Sequence, residues 1–169
     1  VEHQESIAIY GDYDVDGVTS VTSLYLYLTG LGAKVTCYIP NRLGEGYGMS
    51  VAAVDQLAAD GVSLIITVDT GITARDEIAY ADSLGVDTVV TDHHECREEL
   101  PEAYAVVNPH RPDCPYPFKE LAGVGVVFKL LCAHSAAVVG YSDEGNSTAL
   151  YFEGDCTCPR VNGVFKKLL

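Results

Sequence analysis

Short apolar runs alternate with amphipathic segments along the first two-thirds of the chain. The runs at 63–68 and 86–91 are typical of strands buried on both faces, and the segments between the runs repeat apolar residues at helical spacing. This order predicts an α/β fold, with a parallel sheet of about five strands and helices on both faces. The predicted strands are 7–10, 35–39, 63–68, 86–91 and 105–107, and the predicted helices are 18–29, 51–60, 73–84 and from about 119 or 124 to 138.

The end of the chain departs from this alternation. Residues 139–169 show no clear period, so we predict one domain over residues 6–138 and a divergent C-terminal tail of the same domain over 139–169. A length of 169 residues fits a single domain of ordinary size. Because the chain begins at Val1, without a Met and almost directly on a strand, we expect a truncated piece of a longer protein.

The charge balance narrows the possible partners. The chain has 24 acidic residues against 10 Lys and Arg, a formal net charge of −14. Proteins that hold nucleic acid through its phosphates usually present a basic face, so this composition argues against tight DNA binding by the chain alone. It does not exclude a site where metal ions, rather than Lys and Arg, meet a phosphate. Solvated acidic helices and loops account for most of the excess.

The six cysteines and the apolar segments bear on the cellular compartment of the protein. The cysteines are scattered, with only Cys156 and Cys158 close together, and they lack the spacing of a zinc site or a secreted disulfide scaffold. No secretory signal precedes the first strand. The longest apolar region, 121–141, is interrupted by Lys129 and His134, which favours a buried helix over a membrane span. We therefore expect a cytoplasmic protein with reduced thiols and no membrane association.

Acidic and imidazole side chains follow three of the predicted strands. Ligands of parallel α/β sheets bind beyond the carboxyl ends of the strands. The chemistry should therefore gather at one edge of the sheet, a strand-end active site. The first strand runs into Gly-Asp-Tyr-Asp-Val-Asp-Gly, the third into Asp-Thr-Gly and the fourth into Asp-His-His, which supply Asp12, Asp14, Asp16, Asp69, Asp92, His93 and His94.

The three aspartates of the first motif have the same parity, so in an extended chain their carboxylates point to one side. Their mutual repulsion would be offset by two divalent cations, and oxygen ligands with one or two imidazoles suit Mn²⁺ or Mg²⁺. A calcium loop is disfavoured because Ser23 stands where that loop needs a glutamate. For any single Asp, capping of a helix N-terminus is an equally good interpretation.

The motifs YGDYDVDG, VDTGI and TDHH resemble the first three motifs of the DHH phosphoesterase superfamily. Within it, the segments 38–42 (YIPNR), 45–48 (EGYG) and 106–130 are similar to those of the RecJ single-strand-DNA exonucleases. The resemblance covers residue 6 to about 133. Superfamily members that act on small nucleotides typically begin with a histidine-containing motif, whereas this chain has Gly11-Asp12.

The resemblance implies roles for individual residues. His94 is implied as a catalytic residue near the scissile phosphate, Asp92 as the residue that orients the histidines, and Arg42 and Arg111 as contacts to substrate phosphates. Asp155 falls where the family's fourth motif supplies another ligand, although Tyr, Phe and Glu replace the small residues before it. The implied ligands of two Mn²⁺ or Mg²⁺ ions are Asp12, Asp14, Asp16, Asp69, His93 and Asp155.

The implied activity is metal-dependent hydrolysis of phosphodiesters, as in a 5′-to-3′ single-strand-DNA exonuclease of DNA repair and recombination. The family's second core domain and its oligonucleotide-binding domain have no counterpart in this sequence. We therefore expect this chain alone to bind single-stranded DNA weakly. Two alternatives stay open: a phosphoesterase of short oligonucleotides or cyclic dinucleotides, and a truncated metal-binding module with little catalysis.

Overall fold

The computed structural model of the protein describes residues 5–41 and 46–139, with side chains as far as residue 135. The chain alternates strand and helix through most of this length, and the predicted α/β class is confirmed. The strands are β1 (Ser6–Tyr10), β2 (Lys34–Tyr38), β3 (Leu64–Val68), β4 (Asp87–Thr91) and β5 (Ala105–Val107). The helices are α1 (Val15–Gly30), α2 (Val51–Ala59), α3 (Arg75–Ser83) and α4 (Gly123–Val139).

All five strands pair in parallel in the order β2-β1-β3-β4-β5. The third strand along the chain therefore lies in the middle of the sheet, between β1 and β4. The chain moves outward from β1 to β2 and then crosses back to β3, so its direction reverses between β1 and β3. Such a reversal opens a crevice at the carboxyl ends of the two strands.

The alternation of side chains along each strand divides the core into two layers, one on each face of the sheet. On one face, Ile9 and Ile66 pack against Leu24 of α1 and Val127 of α4. The other face is covered by α2 and α3, through residues that include Ala53, Val54, Leu57 and Ile78. β3 is buried along its whole length, as its continuous apolar run predicts.

The start of α1 differs from the prediction. The helix begins at Val15, because the Asp14 side chain accepts a hydrogen bond from the Gly17 N–H and caps the helix. Asp16 therefore lies in the first helical turn and not on an extended strand. The expectation that three carboxylates of equal parity point to one side is wrong for Asp16, because the chain leaves the extended conformation before it.

Several residues singled out from the sequence lie outside the described residues: Arg42, Asp155, Cys156 and Cys158. The boundary placed between residues 138 and 139 also stays a prediction. Four cysteines within the described residues are free thiols. In the same part of the chain, no helix combines the length and the apolar character needed to cross a membrane.

Candidate metal centre

The loops after β1, β3 and β4 converge at the carboxyl edge of the sheet, beside the crevice between β1 and β3. They carry two groups of side chains, and within each group the potential ligand atoms all lie within 4.8 Å of one another. The first group is Asp12, Asp14 and Asp69, and the second is Asp69, His93 and His94. Asp69 belongs to both, because β3 lies between β1 and β4. The structure thus brings together five of the seven side chains that the sequence places at the strand ends.

Asp69 is held in an unusual setting. Its backbone has a φ of +58°, in the left-handed region that Asp tolerates better than most residues. The residue is only 2% exposed, and its Oδ1 accepts no hydrogen bond from the described residues. His93 Nε2 lies 3.0 Å from that oxygen, but the pair lacks hydrogen-bond geometry. A buried carboxylate oxygen with no donor is a position suited to a cation.

The electrostatics of Asp69 lead to the same conclusion. Burial, together with the negative charges of Asp16 and Asp14, raises the pKa of its carboxyl to about 7. His94 opposes the shift by stabilising the carboxylate. Without a cation, the protein therefore disfavours the ionised form of the residue that both groups share.

Asp92 is buried and fully engaged in hydrogen bonds. Its Oδ1 accepts from the backbone N–H groups of His93 (2.7 Å) and His94 (3.1 Å) and contacts the Nδ1 of His94 at 2.7 Å. Its Oδ2 accepts from the Ile72 N–H at 2.9 Å. These contacts fix the loop after β4 and turn the Nε2 of His94 away from Asp92. The role that the resemblance implies for Asp92, orienting the histidines, stays a prediction.

His94 presents a half-exposed imidazole to the crevice, with 46% of its side chain accessible. Burial lowers its pKa, but the hydrogen bond to Asp92 and the surrounding carboxylates outweigh that effect, so the pKa is raised overall. The hydroxyl of Tyr47 lies 3.3 Å from His94 Nε2, with the two rings edge to face.

Asp16 links this crevice to α4. Its two carboxylate oxygens accept from the N–H groups of Gly123 (2.7 Å) and Val124 (2.8 Å), at the start of the helix. The same carboxylate lies 3.7 Å from His93 Nε2, so Asp16 borders the second group. A Cβ at Gly123 would lie 2.8 Å from the Asp69 side chain, closer than such atoms approach. Only glycine therefore lets α4 begin so close to Asp69.

The donor set suits a hard divalent cation. The first group consists of three carboxylates, the second of one carboxylate and two imidazoles, and no thiol takes part in either of these described clusters. Such ligands fit Mn²⁺ or Mg²⁺ better than metals that prefer sulfur. Asp69 is common to both groups, so the two sets of potential ligands share one carboxylate.

Residues 6–151 match the family model of the DHH family, N-terminal domain. The chain belongs to the DHH family.

Among relatives of this DHH chain, the single-stranded-DNA-specific exonuclease RecJ of Bacillus subtilis is 55% identical over 130 residues, 77% of this chain and 16% of that protein. RecJ of Escherichia coli is 44% identical over 143 residues, 83% of this chain and 25% of the relative. The chain thus spans a quarter or less of the length of these two relatives.

Two crystal structures resemble the DHH fold described above. A structure of exonuclease RecJ bound to manganese matches with a TM-score of 0.74 and 36% identity, covering 84% of this chain and 36% of that one. RecJ from Thermus thermophilus in complex with Mn²⁺ matches with a TM-score of 0.64 and 34% identity, covering 78% and 18%. The similarity therefore extends to both sequence and fold.

Arg111 lies in a different setting from the other predicted site residues of the DHH chain. It is 4% exposed, and its guanidinium donates to the Asp113 carboxylate at 3.0 and 2.6 Å and to the Val106 carbonyl. These contacts favour a role in fixing the loop after β5. Its contact with a substrate phosphate stays a prediction, as do the roles of Arg42 and Asp155.

Sequence reasoning missed three residues that shape this DHH site. Asn108 is buried, donates to the His94 carbonyl at 2.9 Å and accepts from the His110 N–H at 2.7 Å. Tyr47 and Gly123 are the others. Asn108 follows β5 directly, so the strand-end rule that found the acidic residues could have found it too. Tyr47 and Gly123 lie on segments whose approach to the crevice depends on tertiary packing.

Proposed function

We propose that this chain hydrolyses phosphodiester bonds of single-stranded DNA with two divalent cations, Mn²⁺ or Mg²⁺. The observation that carries the proposal is the pair of ligand groups that share Asp69, whose buried Oδ1 has no donor among the described residues. Asp12 and Asp14 would hold one cation, and His93, with Asp16 beside it, the other. When bound, two such ions activate water and offset charge on the phosphoryl group.

The residues around the cations would prepare the site for a phosphate. Asp92 holds the Nδ1 of His94, so that the Nε2 of His94 faces the crevice beside the Tyr47 hydroxyl, where a substrate could take that partner's place. Because His94 is half-exposed at the crevice, its imidazole can reach a phosphate oxygen and donate a hydrogen bond. The contact of Asp16 with the start of α4 keeps that helix against the site.

The choice of single-stranded DNA as substrate rests on the relatives. Proteins of two bacteria that are 55% and 44% identical to this chain are single-stranded-DNA-specific exonucleases. The chain covers 16% and 25% of their lengths, so the activity of these whole proteins is a proposal for this chain. The motif resemblance supports the 5′-to-3′ direction and the release of mononucleotides.

Calorimetric titration with Mn²⁺ tests the metal centre. We expect about two bound ions per chain, by the two-metal scheme. Asp69→Asn should abolish most of the binding and His93→Ala should remove one ion. Asp60→Asn is the matched control, because Asp60 is exposed at the end of α2 and belongs to neither ligand group. Binding that survives Asp69→Asn unchanged would contradict the proposal.

Hydrolysis is measured on a single-stranded oligonucleotide labelled at its 5′ end, with Mn²⁺ present. Release of the labelled mononucleotide by the wild-type chain, lost in Asp69→Asn and kept in Asp60→Asn, is the expected result. Parallel reactions with a dinucleotide and a cyclic dinucleotide separate the proposed activity from a preference for short substrates. Turnover of the short substrates alone would reassign the substrate class while leaving the metal centre in place.

A further inference from the structure

A cleft runs from the two histidines of the metal centre along the loop that follows β5. We propose that this cleft binds a second phosphate of the DNA strand, next to the one at the metal centre, with Lys119 as its principal contact. The inference rests on the proposed function, which it deepens by assigning the position of the neighbouring nucleotide.

The cleft has the size and lining of a nucleotide subsite. Its volume is about 480 Å³, within the range of roughly 300–1,000 Å³ that is usual for ligand sites. Its walls include His93 and His94 of the metal centre together with His110 and Lys119. Leu121 and Ala122 add an apolar surface. A phosphate and an adjoining sugar therefore both find suitable surfaces there.

Lys119 is held in place without a carboxylate. Its Nζ donates to the carbonyl oxygens of Pro109 at 2.7 Å and Cys114 at 2.9 Å, which leaves one N–H of the ammonium group. No carboxylate of the described residues lies within 4.0 Å of this Nζ, in contrast to Arg75 and Arg111, which pair with Glu99 and Asp113. Two neutral contacts thus orient the ammonium group and leave its full charge.

A fixed, unneutralised cation is notable in a chain with a net charge of −14. Most of the charge around the crevice is negative, so an anionic strand needs local positive charge wherever cations of the metal centre do not reach. A lysine ammonium is a common phosphate ligand, and charge-assisted hydrogen bonds are stronger than neutral ones. Lys119 supplies that charge beside the two histidines.

The rest of the cleft limits how strong this contact can be. His110 Nδ1 lies 3.0 Å from a carboxylate oxygen of Glu95, which orients the imidazole. Glu120 also lines the cleft and is exposed. Because these carboxylates repel a phosphate, we expect a moderate gain in affinity from the subsite, about tenfold, which is the lower end for one hydrogen bond to a charged group.

The experiment compares two nucleotides that differ by one phosphate. The chain is saturated with Mn²⁺ and titrated by calorimetry with thymidine 5′-monophosphate and with thymidine 3′,5′-bisphosphate. We expect the wild type to bind the bisphosphate about tenfold more tightly. Lys119→Gln keeps amide donors for the two carbonyls but removes the charge, and it should bring the ratio close to one without changing the affinity for the monophosphate. Lys119→Arg should keep most of the preference.

Lys34→Gln is the matched control, because Lys34 is exposed at the start of β2 and does not line the cleft. A ratio that is near one in the wild type, or that falls equally in Lys34→Gln and Lys119→Gln, would overturn the subsite. Thermal melting establishes that each variant is folded. Should Lys119→Gln unfold, acetylation of the wild type decides: the bisphosphate must protect Lys119 more than the monophosphate does, with Lys34 as reference, and equal protection overturns the inference.

The two proposals fail in different ways. If Mn²⁺ alone does not bind, the metal centre and with it the proposed function are contradicted. If Mn²⁺ binds and the two nucleotides bind with equal affinity, the metal centre stands and the second phosphate site is wrong.

Discussion

At Asp69 the backbone turns through a left-handed conformation, and the buried carboxylate meets other acidic groups from α1. Burial and the charges of Asp16 and Asp14 raise its pKa to about 7, so at pH 8 the ionised form is present and is unfavourable. The folded state therefore retains a proton on Asp69 that the unfolded chain releases at lower pH. In the absence of a cation, this residue reduces stability as the pH rises toward 7.

The prediction at this scale concerns Asp69→Asn in the presence of a chelator at pH 8. Asn tolerates the left-handed backbone and carries no charge, so the free energy of unfolding should rise by about 1–3 kcal/mol, the range for an unsatisfied buried group. Urea denaturation measures it, and the exposed Asp60→Asn should change it by less than about 0.5 kcal/mol. With Mn²⁺ present, the wild type should be the more stable of the two proteins, because only the wild type gains binding energy. A chelated Asp69→Asn variant less stable than wild type would contradict this account.

Among the elements, α4 is connected to the metal centre through the contacts of Gly123 with Asp16 and Asp69. Gly123→Ala should lower the free energy of unfolding by about 1–3 kcal/mol, since the new methyl group collides with a fixed side chain. It should also weaken Mn²⁺ binding. Gly125→Ala is the matched control: its Cβ would lie 3.2 Å from the flexible Leu121 side chain, and the gain in helix propensity keeps the change within about 1 kcal/mol. Equal effects of the two substitutions would refute the role of Gly123.

A second contact of α4 gives a pH dependence. His134 is buried, its Nδ1 lies 2.7 Å from the Tyr27 hydroxyl of α1, and burial lowers its pKa. The folded protein therefore favours the neutral ring. Below the usual value of 6.5, protonation of the unfolded chain reduces stability until the pH passes the folded pKa.

We expect the free energy of unfolding of the wild type, relative to His134→Gln, to fall by up to about 1.4 kcal/mol per pH unit as the pH drops from 6.5. Denaturation series at several pH values, with chelator, measure the difference between the two proteins. A difference that does not depend on pH would show that His134 is not coupled to folding.

The elements were largely predictable because β1 and β3 are mostly apolar runs and a glycine stands at or within two residues of the ends of α1, α2 and α3. Predicted and observed bounds differ mostly at the helix starts: α1 begins at Val15 instead of 18, and α3 at Arg75 instead of 73. The start of α1 could not be read from hydrophobic spacing, because Val15 is exposed and the capping bond of Asp14 determines it. The strand-end rule likewise found the acidic residues but not Tyr47, whose approach to His94 is set by a loop before α2.

At the scale of the whole molecule, the net charge of −14 sets the expected affinity for nucleic acid. Cations at the metal centre offset one phosphate, and Lys119 a second, but tracking a strand needs a longer positive groove and stacking aromatics. We expect this chain to bind a single-stranded oligonucleotide with a dissociation constant of about 10⁻⁴–10⁻⁶ M at physiological salt, and more weakly as salt rises. Fluorescence anisotropy measures the affinity, and nanomolar binding would contradict the argument.

The central position of β3 in the sheet also determines at which stage of folding the two ligand groups can first form. Asp12 and Asp14 leave the ribosome before β3 and β4, but neither group is complete until β3 has inserted beside β1, and the second group also requires β4. Pairings between strands so distant along the chain are slow steps of folding, whereas helices form early. Binding of Mn²⁺ by a refolding chain therefore reports when the sheet has formed, and we expect it to occur later than the recovery of the helical signal.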